Sequence, residues 1–379
     1  MTRLLELLIS IAIVAVLFLL VGVLLPSSRS LTESVETNRR MTIVYDTINS
    51  LRRFGAWHPL ALRDPGMALE LSGPPSGVGA RLDYRSSNDA VGEGSWELVE
   101  NEENRRVLYA IENDARGNNK RTEFLLQPTG RSGRNVEITQ KYNVDYGWDL
   151  LGRYSGLYVS RNVGDDMKLG LSRLSNMLAT VPNVDYRVEG SKLTDLEAVQ
   201  RPAEHLLVVT AGAVERNNET IKASMKGNME WINRTMAANN LVATGPMRII
   251  STELGRETYT FDVAQPVRRR AADAAAAEGN GEQEDAGETA AVQVGAGSAL
   301  QNLELLGPVT YVQAPATRAA KAAYTGFMAE LDNVRSALRA WALTQGYEVT
   351  DRPYEVYRNG IDQAFTADGE YEVYWTLRQ

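Results

Sequence analysis

The 379-residue chain has no cysteine and only two histidines, His58 and His205. The first absence excludes disulfides, thiol nucleophiles, cysteine-held metals and lipid-modified cysteine, and it removes the usual clue to redox compartment. The second leaves too few imidazoles for a histidine-rich zinc site and makes a Ser-His-Asp triad improbable. Positive charge is also short: 40 Lys and Arg stand against 48 Asp and Glu, a formal net charge of −8. Binding to DNA or RNA needs a basic face, so a nucleic-acid partner is disfavoured. What remains is a globular composition, 44% hydrophobic and 23% charged, on a chain long enough for two domains with a core each.

Against that background the N-terminus is exceptional. From Leu7 to Leu25 the run LLISIAIVAVLFLLVGVLL carries no charge, and at ~1.5 Å per helical residue it nearly matches a hydrocarbon layer of ~30 Å. A cleavable signal peptide is the rival, but its apolar core is typically about 7–15 residues and no small-x-small site follows cleanly before PSSRS. Residues 1–28 therefore read as an uncleaved single-pass anchor. Arg3 flanks one side and Arg29, Arg39 and Arg40 the other. That count favours a cytoplasmic globular part, whereas a signal-like start argues for export, and the side stays open.

After the anchor, MTIVYDTINSLRRFGAWHPL reads as a helix entering a loop. ARLDYRS, GEGSWELVE and RRVLYAIEN read as strands of an antiparallel sheet. In GDDMKLGLSRLSNML, Met167, Leu171, Leu174 and Leu178 make one helical stripe. The ordered set FGAWHPLALRDP, GVGARLDY, GEGSWELVE and DYGWDLLGRYSGLYV resembles the START-like (SRPBCC) superfamily, which includes polyketide cyclase and dehydrase-like proteins. An anchor followed by such a domain is a common arrangement in its bacterial members. The resemblance covers about residues 30–180 and implies a helix-grip fold, an antiparallel sheet around a long helix with an apolar cavity between. It departs from the family in lacking the usual proline ahead of the first helix, where TNRRMTIV stands. Trp57, Trp96 and Trp148 are candidate cavity walls, with rim or core packing as the alternative. His58, beside Pro59, reads as a turn residue, since no acid at fixed spacing orients it.

A polar connector, 181–200, leads to an internal repeat. VQRPAEHLL (199–207) echoes VQAPATRAA (312–320), and each precedes an amphipathic helix. Ile221, Met225, Ile232 and Met236 form one stripe, and Phe327, Leu331, Val334, Leu338 and Trp341 the other. GPMRIISTELGRETYTFDVAQPV and RPYEVYRNGIDQAFTADGEYEVYWTLRQ each read as two strands, so the unit is strand-helix-strand-strand, present twice. Between the copies, about 268–298, an Ala/Glu/Gly-rich segment reads as a mobile loop opened by Arg268–Arg270. The fold class is α+β.

Within the second copy, period-two alternation puts Pro353, Glu355 and Tyr357 on one strand face and Tyr354 and Val356 on the other. A carboxylate among aromatic rings fits either a solvated face or a pocket for a cation. The doubled unit ending in RPYEVYRN resembles the GyrI-like effector-binding domain over residues 201–379, the insert apart. That family forms a pseudo-two-fold cup for lipophilic, often cationic ligands, and its pocket acid falls on Glu355 by the spacing to Pro353 and Tyr357. Tyr324, Tyr371, Trp375 and Trp231 are candidate walls. Ala323–Phe327 replaces the usual Gly-Pro-aromatic stretch, and no helix-turn-helix precedes the domain.

These features imply a membrane-anchored binder of a lipophilic, possibly cationic small molecule, in a bacterial cytoplasmic membrane. No catalytic set, cofactor or metal site is evident. The alternatives are a hydrolase-like enzyme with Glu355 as general base, and an interaction protein using the insert as a contact arm.

Overall fold

The computed structural model describes residues 2–188, 192–255, 257–270 and 299–378; the expected mobile loop, Arg268–Arg270 apart, lies outside them. The chain divides into two compact units between Asp185 and Tyr186, with Thr344–Gly346 grouping with the first. It is mixed α+β, with two large antiparallel sheets and one long apolar N-terminal helix.

In the first unit, α1 (Thr2–Leu24) is followed at once by β1 (Ser28–Thr37), then α2 (Met41–Ile48), α3 (Phe54–Trp57) and α4 (Leu60–Arg63). The sheet continues with β2 (Ala68–Ser72), β3 (Arg81–Arg85), β4 (Glu93–Glu102), β5 (Arg106–Asn113), β6 (Asn118–Thr129) and β7 (Asn135–Asp145). Helices α5 (Leu150–Ser155) and α6 (Val159–Ala179) close the unit. The strand order is β1-β7-β6-β5-β4-β3-β2, each neighbour antiparallel. Helix α6 forms as its stripe predicts: Met167, Leu171, Leu174 and Leu178 are all buried, each worth roughly 1.5–3 kcal/mol on transfer from water. It packs on β1, β7 and α3, which makes the unit helix-grip-like. Strand β1, over SRSLTESVET, is not among the strands expected from the sequence. Its alternation half-buries one face, against α6, while the other face stays exposed.

The second unit contains β8 (Leu193–Arg201), β9 (Glu204–Glu215), α7 (Asn218–Ala238), β10 (Leu241–Ala243), β11 (Arg248–Leu254) and β12 (Thr258–Arg269). After the undescribed segment come β13 (Thr310–Ala314), β14 (Thr317–Thr325), α8 (Leu331–Thr344), β15 (Tyr354–Tyr357), α9 (Gly360–Gln363) and β16 (Glu370–Thr376). The sheet order is β13-β9-β12-β11-β15-β16-β14-β8, with β10 beside β12, so the two helix-bearing sets meet at β11 and β15. Each set donates its leading strand to the other: β8 pairs with β14, and β13 with β9. The exchange occurs at Pro202-Ala203 and Pro315-Ala316, where proline has no N–H to continue a ladder. Residues 193–200 of the expected polar connector are thus sheet, not linker. The arginines at 268 and 269 likewise extend β12 opposite Val242 and Leu241 rather than forming a loop patch.

Candidate functional site

In the first unit the helix and sheet leave a cavity of about 440 Å³. Its floor is apolar and aromatic: Trp57 from α3, Trp96 from β4, Ile111 from β5, and Met167 and Gly170 from α6. Gly170 matters for shape, because a Cβ there would stand 3.3 Å from Pro59 Cδ and 3.6 Å from Trp57 Cζ3. Without a side chain, the wall carrying Trp57 closes tightly on α6. Two polar groups lie on the sheet inside this apolar surround. Thr122 and Gln140 are buried neighbours on β6 and β7, and Gln140 Nε2 donates to Thr122 Oγ1 at 3.0 Å. The mouth is charged: Asp89, Glu93, Asp114 and Asp166 face a single lining arginine, Arg63, which pairs with Asp166 at 2.5 Å. Burial pushes the Asp166 carboxyl up, and Arg63 partly offsets this.

His58 lies in this cavity and is more than a turn residue. Its ring stacks on Phe54 at 4.2 Å and meets Trp96 and Trp57 edge-on at 5.0 and 5.3 Å. The Leu60 backbone N–H donates to Nδ1 at 3.3 Å, so in the neutral ring Nε2 carries the proton. Burial, with Arg63 adding, pushes the imidazole down to about 3, and it is neutral at physiological pH. Tyr84 and Tyr142, also lining the cavity, are held above the ordinary phenol range chiefly by burial. The site therefore presents hydrogen-bond donors and acceptors with no charged base at its floor.

Of the three candidate tryptophans, Trp57 and Trp96 line the cavity and Trp148 does not. Trp148 is 81% exposed, in the turn before α5, with the Arg153 guanidinium over its ring at 5.5 Å. Sequence reasoning missed His58, Thr122 and Gln140 as lining groups. The signal for Gln140 was available: it falls between Ile138 and Tyr142 on the inward phase of β7, where an apolar residue is expected.

In the second unit Glu355 sits on the helix-covered face of β15, opposite Ile249 and Val373. The alternation is as read, with Tyr357 in the main core and Tyr354 and Val356 in a separate cluster on the other face. The expected open anionic cup is not there. Glu355 is 0% exposed, and Arg335 of α8 donates from Nε to its Oε1 at 2.5 Å. Ser251 Oγ donates to Oε2 at 3.4 Å, Ser251 shares a 2.7 Å hydrogen bond with the Tyr259 hydroxyl, and Arg335 Nη2 donates to that hydroxyl at 3.3 Å. Burial pulls Arg335 down, but the adjacent carboxylate outweighs it and holds the guanidinium above its ordinary value. Tyr259 is pushed up to about 12, first by burial and then by Glu355. The negative charge is already matched from within the chain.

Next to this network is a small cavity of about 180 Å³, lined by Ile221 of α7 and by Tyr259, Met328 and Arg335. None of the expected aromatic walls borders it. The Tyr324 hydroxyl donates to Glu330, and the Tyr371 hydroxyl to the Ala364 carbonyl at 2.6 Å. Tyr357 and Trp375 are packed in or against the core, and the Tyr357 hydroxyl and Trp375 Nε1 are buried with no hydrogen-bond partner among the described residues. Trp231 is on the outer side of α7, 38% exposed beneath Arg234. Tyr324, Tyr357, Tyr371 and Trp375 are thus taken up in packing within or against the core of this unit, whereas Trp231 is not. The missed residue is Arg335. It falls in phase with Leu331, Val334 and Leu338, and an arginine on a buried stripe is a readable sign of an internal partner.

No protein-family model and no curated protein matches the chain. Among solved structures, norcoclaurine synthase from Thalictrum flavum, in complex with dopamine and hydroxybenzaldehyde, is similar at 13% identity. The match covers 40% of this chain and 87% of that one, with a TM-score of 0.31. A Thermobifida fusca protein solved by NMR matches at 20% identity, over 40% and 93% of the chains, TM-score 0.31. The EcmrR C-terminal domain matches at 15% identity, over 49% and 98%, TM-score 0.34.

Proposed function

We propose that the protein is a membrane-anchored small-molecule binder whose ligand occupies the cavity of the first unit. The observation that carries this reading is the cavity itself: about 440 Å³, aromatic at the floor, with the buried Thr122–Gln140 pair and the neutral His58 placed to orient a guest. The acidic mouth favours a neutral or cationic amphiphile over an anion. Helix α1 is the anchor, long and apolar enough to cross a bilayer, and a bacterial cytoplasmic membrane is its setting. The second unit is a GyrI-like effector-binding domain whose cup is held shut by Arg335 on Glu355, so a cationic ligand enters only by displacing that guanidinium. A general-base role for Glu355 has little support while its carboxylate is saturated by Arg335 and Ser251.

The test is thermal stabilisation of the full chain in detergent by N-phenyl-1-naphthylamine, lipophilic quaternary ammonium ions and fatty acids, alongside Gln140→Leu and Glu355→Gln. At about a hundred times its dissociation constant, a ligand stabilises by roughly 2.7 kcal/mol. Stabilisation by the neutral or cationic probes that changes in Gln140→Leu and not in Glu355→Gln supports the first-unit cavity. Stabilisation lost only in Glu355→Gln moves the site to the second unit, and none with any probe overturns the binding reading.

A further inference from the structure

We propose that the segment Trp148–Tyr158 lies in the headgroup interface of the bilayer and seats the first unit on the membrane surface, an inference that rests on α1 spanning the membrane. The reason is the way α1 is held. Tyr154 stacks on Phe18 at 4.3 Å, with ring planes 8° apart, and its hydroxyl donates to the Phe18 carbonyl at 2.7 Å. One turn further on, Gly22 is the contact point. A Cβ there would stand 3.3 Å from both Leu150 Cβ and Tyr154 Cε2. Arg153 then caps the helix, donating through Nη1 to the carbonyls of Val23 at 2.8 Å and Leu25 at 3.1 Å. Those carbonyls have no intrahelical donor, so the guanidinium satisfies groups that would otherwise need water.

Helix length decides where this leaves α5. Residues Thr2–Leu17, ahead of the first α5 contact, extend only about 24 Å, short of the ~30 Å hydrocarbon layer. The whole of α1, at 23 residues, extends about 34 Å and suffices. The helix therefore spans only if about one further turn, Phe18–Val21, is also inside the hydrocarbon layer, which leaves the contacts at Gly22, Val23 and Leu25, and the segment packed on them, at the edge of that layer. What that segment shows to the outside suits such a place. Trp148, Leu151, Leu157 and Tyr158 are all exposed, an apolar and aromatic surface that water would penalise. Trp and Tyr are the residues that settle at the headgroup level, and Arg153, covered by Trp148 on one side, keeps its charge on carbonyls. Asp149 and Arg116, paired at 3.1 Å, mark the wet edge of the segment.

The absence of cysteine makes the test direct, because one introduced thiol labels one position. Nitroxides are placed by Leu151→Cys and Tyr158→Cys in the full chain, reconstituted in phosphatidylcholine–phosphatidylglycerol vesicles, with Leu17→Cys in α1 and Arg131→Cys at the opposite end of β7 as references. Collision with oxygen and with an aqueous nickel chelate reads depth. The proposal expects severalfold lower nickel accessibility at 151 and 158 than at 131, with oxygen accessibility between those of 17 and 131. If 17 is shielded and 151 and 158 are as accessible to nickel as 131, the interfacial seat is overturned and the anchor stands. If 17 itself is accessible to nickel, the anchor reading fails and takes this one with it.

Discussion

Both units of this chain lay helices across an antiparallel sheet, yet one leaves a cavity of about 440 Å³ beneath the helix and the other only about 180 Å³. In the first, the polar groups on the sheet, Thr122 and Gln140, satisfy each other along adjacent strands, and the facing helix contributes Gly170. In the second, the polar group on the sheet is an ion whose partner must come from the helix, so Arg335 crosses the gap to reach Glu355. A neutral pair bonded within the sheet leaves the space above it free, whereas a lone buried charge draws a side chain into that space. The comparison suggests that openness here depends less on size than on where each buried polar group finds its complement.

The sharpest way to break the comparison is to remove the crossing. Arg335→Ala should destabilise the second unit by about 3–5 kcal/mol, because Glu355 is left buried and unpaired. Arg335→Met combined with Glu355→Leu should recover most of that loss, and urea denaturation of the two variants reads the difference. If Arg335→Ala unfolds like the parent, the pair is not holding the cup shut.

The first unit should respond to acid through His58. Its folded value is pushed down to about 3, against about 6.5 when unfolded, so between those values the unfolded chain binds the extra proton. Stability is complete above about pH 6.5 and falls as pH drops, by up to roughly 2 kcal/mol at pH 5. In His58→Gln that part of the slope should vanish when unfolding is followed at both pH values. A smaller effect belongs to the cavity volume. Ile111→Trp, projecting from the floor, should weaken N-phenyl-1-naphthylamine binding about tenfold, near 1.4 kcal/mol, in a fluorescence titration, while leaving the second unit unchanged. The smallest effect is expected at Trp148: in detergent, Trp148→Ala should shift unfolding by less than about 0.5 kcal/mol, because the ring is exposed.

Periodicity carries the elements well where one face is buried. The stripes of α6 and α7 and the alternation around Glu355 are legible because burial imposes a 3.6- or 2-residue period. Strands β1 and β8 were not legible, since each is an edge strand with polar residues on most positions and owes its state to a distant partner. For the sites, the aromatic walls Trp57 and Trp96 could be read from sequence order, but the closure of the second cup could not. Glu355 and Arg335 are on different elements, and only packing brings an acid and a base together. Trp148 shows the converse: its sequence context suits a cavity wall, while its exposure is set by where the chain leaves β7 to meet α1.

The exchange of β8 and β13 has a consequence for how such a domain can be divided. Each half-unit's outermost neighbour belongs to the other half, so a half expressed alone would carry one dangling arm and one bare sheet edge. Those two defects are complementary. Two copies of the same half could repair each other by trading arms, making a single-repeat homodimer the natural companion state of the covalent pair.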